Sequence, residues 1–425
     1  MHSAATDPTS GPDLTKRASR QGWWILALLV ASICINYIDR ANLSAAAQDL
    51  AKELTLNDKA IGALLGSFFW TYALFQIPSG WLIDKYNVYW VYAAGYFVWS
   101  AATALTGFAH SYSTILGLRL LLGFAEACAY PSYSKIIVSD FPEARRGLPN
   151  ALIDAGSKLG PFLGLLIGGS IIAAYGWRVM FIAIGGVSML WLIPWIWSVR
   201  AGGAMTSAAS MKMGGPSVLE IFTKAPAWGT FFGLLCSNYA WYFMLTWLPT
   251  YLRRERSYST EMMATLGSIP FLAVAAASVM GGTISDILIS RGASVTRVRK
   301  GFVVTGLTMA TLLFPAAVVK DPTVALILLT AACLSFGLFT SNVWAVTQTL
   351  AGAQAAGKWT GIQNTFGNVS GVLAPSITGW IVAETHSFLG AFVGACIALL
   401  LSAASYVFLV RKVAPIEWKP DGHES

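Results

Sequence analysis

Runs of about twenty residues almost free of charge recur from Trp23 to Val410, each long enough to cross a hydrocarbon core of about 30 Å as an α-helix. In such a solvent every backbone amide has to be satisfied within the segment, so only helices and closed barrels are open to the chain. A barrel would alternate apolar and polar residues over segments of about 10 residues, and no such pattern is present. The fold class read from the sequence is therefore an all-α polytopic membrane protein. Composition agrees, at 56% hydrophobic and 11% charged, against roughly a quarter charged in soluble domains.

Apolar runs set against polar punctuation place twelve helices, near 22–47, 59–83, 89–108, 112–138, 147–175, 177–199, 227–252, 260–288, 300–319, 322–350, 358–384 and 387–411. The organisation is a tail over 1–21, a six-helix bundle over 22–199, a Gly/Ser/Ala/Met-rich linker over 200–226, a second six-helix bundle over 227–411 and a tail over 412–425. The first apolar run continues too far, without a small-residue cleavage site, to be a signal peptide, so it is read as a retained span. A net charge of +8 suggests nucleic acid in a soluble protein. Here the charges belong to loops, and no nucleic-acid partner is expected. Lys and Arg favour the loops on the side of the N-terminus, which puts both termini in the cytoplasm of a cell (bacterial inner) membrane. Arg253, Arg254 and Arg256 fall on the opposite side and suggest an anion-attracting vestibule.

Six helices plus six suggest a repeat, the architecture of alternating-access carriers with the substrate held between the halves. "GWLID", Gly80 to Asp84, leaves helix 2 as "GTISD", Gly282 to Asp286, leaves helix 8. A glycine there lets two helices approach closely, and the aspartate can cap a helix or pair with a basic residue such as Lys85 or Arg291. These six residues are the candidate gating set.

The run from Trp23 to Ile38 spans about 24 Å at the helical rise, which puts Asp39 and Arg40 within the membrane. An ionisable group at that depth costs at least ~2.5–3.5 kcal/mol and faces a cavity or a partner. In helix 4, Arg119 and Glu126 stand two turns apart on one face. In helix 5, Asp154 and Lys158 stand four apart, and such a pair is able either to satisfy itself or to serve a site. Charge gathers in the first half, beyond what structural pairing explains. Arginine stays protonated and grips a carboxylate in a bidentate fork, whereas a carboxylate in a dry site loads a proton near neutral pH. A glutamate that shares an arginine with an incoming anion releases it on protonation, which couples proton to anion.

At these residues the sequence resembles the major facilitator superfamily. More narrowly it is similar to the anion:cation symporter branch, which includes bacterial galactonate, hexuronate, glucarate and tartrate transporters and the animal sialin and vesicular glutamate carriers. The resemblance covers the whole membrane region and is most specific at "NYIDRANLS", "RLLLGFAEACAYPSYSK", "TWLPTYL", "SNVWAV" and "GIQNTFGN". It implies Asp39 and Glu126 as the protonatable pair, Arg40 and Arg119 as the anion's counter-charges, and Tyr37 and Tyr72 as cavity tyrosines. It also implies Ser341, Trp344 and Asn364 as contacts from the second half. The gate motif departs from the family after "GWLIDKY", where Asn87, Val88 and Tyr89 replace the usual Gly and basic residues. Helix 5 departs too: Ser157 occupies the position of a neutral amide, with Lys158 beside it, and an extra cation there favours a second carboxylate on the substrate.

In helix 7, Asn238, Tyr239 and Tyr242 lie within one turn, and Tyr239 and Tyr242 are added to the substrate-binding set. Ordinary interhelical bonding serves that turn equally well. "GAQAAGKW", Gly352 to Trp359, imitates a nucleotide-binding loop but has Trp359 where a Mg-binding hydroxyl is needed. It is read as the loop between helices 10 and 11. Small-residue clusters such as "GSKLGPFLGLLIGG" and "GVLAPSITG" are read as close-packing and bending elements. Tryptophans near helix ends, such as Trp177 and Trp380, suit an interfacial belt.

Five cysteines lie in apolar segments without metal-ligand spacing. No metal and no cofactor are expected, with protons as the coupling ion and a monomer as the assembly. The expected function is proton-coupled import of an organic anion such as a sugar acid by alternating access. A uniporter or exchanger on the same fold stays open, and no nucleophile–base set points to an enzyme.

Overall fold

The computed structural model describes residues 20–141, 147–201 and 216–418. The expected tail over 1–19, positions 202–215 of the linker and the end of the chain over 419–425 lie outside the described residues. Helices dominate, with no strand among the described residues.

The passes are α1 Arg20–Glu53, α2 Asp58–Lys85, α3 Val88–Thr106, α4 Tyr112–Asp140, α5 at 147–175 and α6 at 177–201 in the first half. The second half holds α7 Ala225–Arg254, α8 Thr260–Ser290, α9 Val295–Val318, α10 Pro322–Gly352, α11 Gln354–Thr385 and α12 Leu389–Phe408. These ranges follow the expected passes within a few residues. The tail end of the linker also contributes a short helix, Val218–Phe222.

Polar residues at the starts make the turns sharp. Asn57, Asn87, Ser111 and Ser259 each accept a hydrogen bond from a first-turn amide, at 2.9, 3.0, 3.2 and 3.1 Å, and Asp321 accepts two. Each such cap contributes about 1 kcal/mol. Two turns rest on a single glycine. Gly176 (φ 84°) separates α5 from α6, and Gly352 (φ 64°) separates α10 from α11, a backbone region that costs other residues a clash at Cβ. The latter corrects the reading of Gly352 to Trp359 as a loop: from Gln354 onward it is helix, and Trp359 is fully buried with its indole N–H on Thr230 Oγ1 at 2.8 Å. A second correction concerns Trp177, which is buried and donates to Glu53 at 2.7 Å, whereas Trp380 is exposed as a belt residue should be.

The glycine-rich stretch of α5 packs against α1. A Cβ on Gly156, Gly160 or Gly164 would come within 2.7, 2.3 and 3.0 Å of Ile33, Tyr37 and Ala41, so four-residue spacing keeps the backbones close. This contact fixes α5, and with it Lys158, against the face of α1 that carries Tyr37.

The halves meet at the end of the bundle away from the termini, hereafter the distal end. There α2 packs on α11, with Gly62 against Pro375 and Gly379, and Gly169 of α5 meets Ala264 of α8. Three ion pairs cross the boundary: Asp49–Arg253 at 2.9 Å, Asp58–Arg254 at 2.7 Å and Lys59–Glu384 at 2.6 Å. Toward the terminal end, α2 leaves Leu74, Ile77 and Trp81 exposed.

Candidate functional site

Asp39, Arg40, Arg119 and Glu126 are 4% exposed or less, so these four charges of α1 and α4 lie in the interior. Arg40 reaches Glu126 Oε2 through Nε and Nη2, both at 3.2 Å. Its guanidinium is walled by the rings of Tyr37, Phe68 and Tyr72 at 4.6, 4.7 and 4.7 Å from their centroids. Such contacts stabilise a desolvated cation by about 2 kcal/mol. Asp39 accepts from Asn42 Nδ2 at 3.4 Å, while its Oδ2 and Glu126 Oε1 are buried without a partner.

Arg119 differs. It lies in electrostatic range of Asp39 and Glu126, with the Phe68 ring 5.4 Å from Cζ. It forms no ion pair among the described residues, and its Nε is buried without a hydrogen bond. Two cations and two carboxyls thus balance within one buried cluster, with only one pair closed among the described residues. A buried guanidinium lacking its bonds is an open site for a carboxylate.

The remaining candidates distribute around this centre. Tyr37 Oη lies 3.4 Å from Tyr130 Oη, and Tyr72 stacks on Phe68 at 5.2 Å. Lys158 pairs with Asp154 at 3.4 Å, with its Nζ 5.9 Å from the Trp241 ring of α7. The lysine therefore bridges the boundary between the halves beside Tyr37. From the second half, Tyr242 meets Phe69 edge-on at 4.5 Å and donates to Asn368 Oδ1 at 3.1 Å.

Residues 29–375 match the family model described as Major Facilitator Superfamily. The chain belongs to this superfamily. Among relatives, the Escherichia coli protein named "Probable galactarate/D-glucarate transporter GarP" is 30% identical over 95% of this chain and 98% of its own length. An Escherichia coli D-galactonate transporter is 28% identical over 93% of this chain and 97% of its own. Among solved structures, a bacterial homologue of the human lysosomal transporter Spinster, in an inward-facing and occupied conformation, superposes with a TM-score of 0.80. At 18% identity, and covering 93% of this chain and 98% of that one, it speaks for the fold. As a superfamily member the chain is a multi-pass membrane transporter and not an enzyme.

Several expected site residues bond away from the charged cluster or form no hydrogen bond among the described residues. Ser157 Oγ donates to the Asp154 carbonyl of its own helix at 2.7 Å, so it is turned along α5. Tyr239 Oη lies 3.9 Å from a Cβ built on Gly394 and so faces α12. Ser341 donates to Leu338 O at 3.0 Å and accepts from Asn342 at 2.9 Å, next to Gly281 of α8. Trp344 and Asn364 are half-buried and make no hydrogen bond among the described residues.

The gating set needs correction. Gly80 has nothing within 4 Å of an added Cβ, and Gly282 only Ser341 at 3.6 Å; on α2 the neighbouring Ile77 and Trp81 are exposed. These glycines make no close helix contact in this state. Asp286 pairs with Arg299 at 2.6 Å, not with Arg291, which is exposed; Arg299 also donates to Ser285 and Asn342, tying α8, α9 and α10. Lys85 lies over the Trp81 and Tyr86 rings at 4.8 and 5.5 Å. The side chain of Asp84 lies outside the described residues. The three arginines at and just beyond the end of α7 are no vestibule either: Arg253 and Arg254 bind Asp49 and Asp58, and Arg256 donates to Ala316 O, Ala317 O and Val319 O, capping the end of α9.

Sequence reading missed Phe68, Tyr130 and Asn368. Phe68 and Tyr130 lie one helical turn from Tyr72 and Glu126, so the helical period about those residues was the available signal.

Proposed function

We propose that the chain is a proton-coupled symporter that imports a sugar acid, with Arg119 and Arg40 as the anion's counter-charges and Asp39 and Glu126 as proton carriers. The observation that carries this reading is the unequal pairing of the two buried arginines. Glu126 occupies Arg40, while Arg119 forms no ion pair among the described residues. An incoming carboxylate binds Arg119 first, and protonation of Glu126 then frees Arg40 to complete the grip. The same protonation cancels the charge that the carboxylate brings into a dry chamber.

The substrate class is set by Lys158. Its ammonium stands in electrostatic range of Tyr37, and a dicarboxylic sugar acid would span from the arginines to this lysine. The relatives described as probable galactarate/D-glucarate transporters support the same class. Ser157, Tyr239, Ser341, Trp344 and Asn364 are assigned to substrate binding only in a further state that brings the second half closer. Entry of a dicarboxylate gains from an inside-negative potential only when more than two protons accompany it, each net positive charge contributing about 2.3 kcal/mol per 100 mV.

The test is uptake into proteoliposomes of labelled galactarate, D-glucarate and galactonate under an imposed inward proton gradient. Gradient-dependent accumulation of the dicarboxylates is expected. Equal accumulation without the gradient assigns a uniporter, and preference for a neutral sugar rejects the anion site.

A further inference from the structure

On the far side of the charged cluster from the second half, α3 packs on α4 and α6 and carries Tyr92, Tyr96, Ser100 and Thr103 on one face. All four are 3% exposed or less. Opposite them α1 presents Ser32, Asn36 and Asp39, again at helical spacing. Near the terminal end the polar groups close a ring: Tyr92 Oη donates to Ser32 Oγ at 2.7 Å, and Tyr133 Oη of α4 lies 3.0 Å from Tyr92 and 3.2 Å from Ser32.

Toward Asp39 the bonding stops. Tyr96 Oη, Ser100 Oγ, Thr103 Oγ1, both polar atoms of Asn36 and Asp39 Oδ2 are all buried without a partner. Along this file Tyr96 faces Ser100, Asp39 faces Thr103, and Asn36 of α1 faces Glu126, each near enough to interact yet short of hydrogen-bond geometry. One unsatisfied buried group costs about 1–3 kcal/mol, so a file of them on two facing helices is not sustained by packing alone. Buried polar groups find protein or water partners, and a site with several convergent donors and acceptors is what an internal water occupies. Beyond the ring, Tyr89 lies one turn nearer the terminal end and donates to Asp140 Oδ1 at 3.2 Å, at the last residue of α4.

We propose that water held between α1 and α3 links Asp39 to the Tyr92–Ser32–Tyr133 ring and makes a proton relay through the first half to the terminal end, separate from the path of the substrate. The inference rests on the proton-coupled reading above. The transfer is a shift of hydrogens along the file. A neutral carboxyl of Asp39 gives its proton to the adjoining water or hydroxyl, and every water or hydroxyl that receives a proton passes its own onward. One proton is released at the terminal face, and a carboxylate remains behind. Protons and sugar acid then leave by different routes, so release of one does not wait for the other.

The experiment compares the full-length transporter with Tyr96→Phe and with Ser100→Ala in proteoliposomes enclosing a pH-sensitive dye. Substrate-induced proton entry and substrate counterflow, which needs no net proton release, are read side by side with galactarate as the probe. The relay predicts several-fold slower proton entry and net uptake in both variants, with counterflow and binding affinity kept. Thr103→Val, a small change in the same file, serves if the tyrosine variant does not fold. Unchanged proton entry in the variants, or counterflow lost in step with it, overturns the relay. A wild-type protein that accumulates substrate without moving protons overturns the symport reading itself, which is a separate result.

Discussion

Arg253 of α7 grips Asp49 of α1 through both terminal guanidinium nitrogens, at 2.9 and 3.1 Å, across the boundary between the two halves. With Asp58–Arg254 and Lys59–Glu384 nearby, the distal end is latched by pairs that hold only when the halves touch there. Exposed pairs contribute about 0.2–1 kcal/mol each, and the half-buried bidentate one stands at the upper end. These pairs have differential affinity for one conformation, the condition for biasing a two-state carrier.

Breaking the latch should therefore repopulate the state open at the distal end. Arg253→Gln is expected to shift the equilibrium by about 1 kcal/mol, roughly fivefold. The measurement is labelling of Thr246→Cys by a membrane-impermeant thiol reagent from the distal side, in a background without the five native cysteines. A labelling rate equal to that of the intact pair would dismiss the latch.

Proton coupling makes the pH dependence specific in sign. Protonated Glu126 releases Arg40, and the protonated fraction grows as pH falls, so anion affinity should strengthen toward lower pH. Glu126→Gln holds the residue permanently neutral. Its affinity should be flat with pH and at the low-pH level of the parent, with counterflow retained and gradient-driven accumulation lost. Isothermal titration across pH 5.5–8, about the range in which a desolvated carboxyl titrates, checks both halves of the statement.

Lys158 carries the choice between one and two carboxylates. A hydrogen bond to a charged group contributes about 1.5–3 kcal/mol, and Lys158 already shares its charge with Asp154, so Lys158→Gln should lower affinity for galactarate about tenfold. Galactonate affinity should change little. Thermal-shift titration with the two acids reads the ratio directly, and an unchanged ratio removes Lys158 from the specificity argument.

The fold was legible because a bilayer leaves a chain few options: apolar length located the passes, whereas the single-glycine turns at Gly176 and Gly352 show only in their positive φ. Asp39, Arg40, Arg119 and Glu126 were legible for the same reason, since charges at that depth stand out against Leu and Ala. What stayed hidden depends on rotation and on distant partners. Asn368 differs from Asn364 only by one turn, yet it is Asn368 that meets Tyr242. Nothing local in "TYLRRERS" distinguishes a vestibule from a latch until Asp49 and Asp58 are placed opposite. Likewise Asp286 finds Arg299 on the next helix, and no spacing rule within α8 announces it.

The contact between α1 and α5 offers a test of how tightly the site is held from behind. A Cβ on Gly160 would lie 2.3 Å from Tyr37 Cβ and 2.7 Å from Cys34 O, and since one of these is backbone, α5 has to move as a unit. Overpacking of this kind costs about 1–3 kcal/mol. Tyr37 carries the ring under Arg40, and Lys158 lies two residues before Gly160, so the displacement reaches both ends of the proposed anion site. Gly160→Ala should therefore lower the thermal midpoint in detergent and weaken substrate affinity together. Gly117→Ala, where nothing lies within 4 Å of the added carbon, should leave affinity alone and hold or slightly raise stability, because alanine favours the helix over glycine by roughly 1 kcal/mol. If the two substitutions behave alike, the close approach of α5 to α1 is not what positions the binding residues.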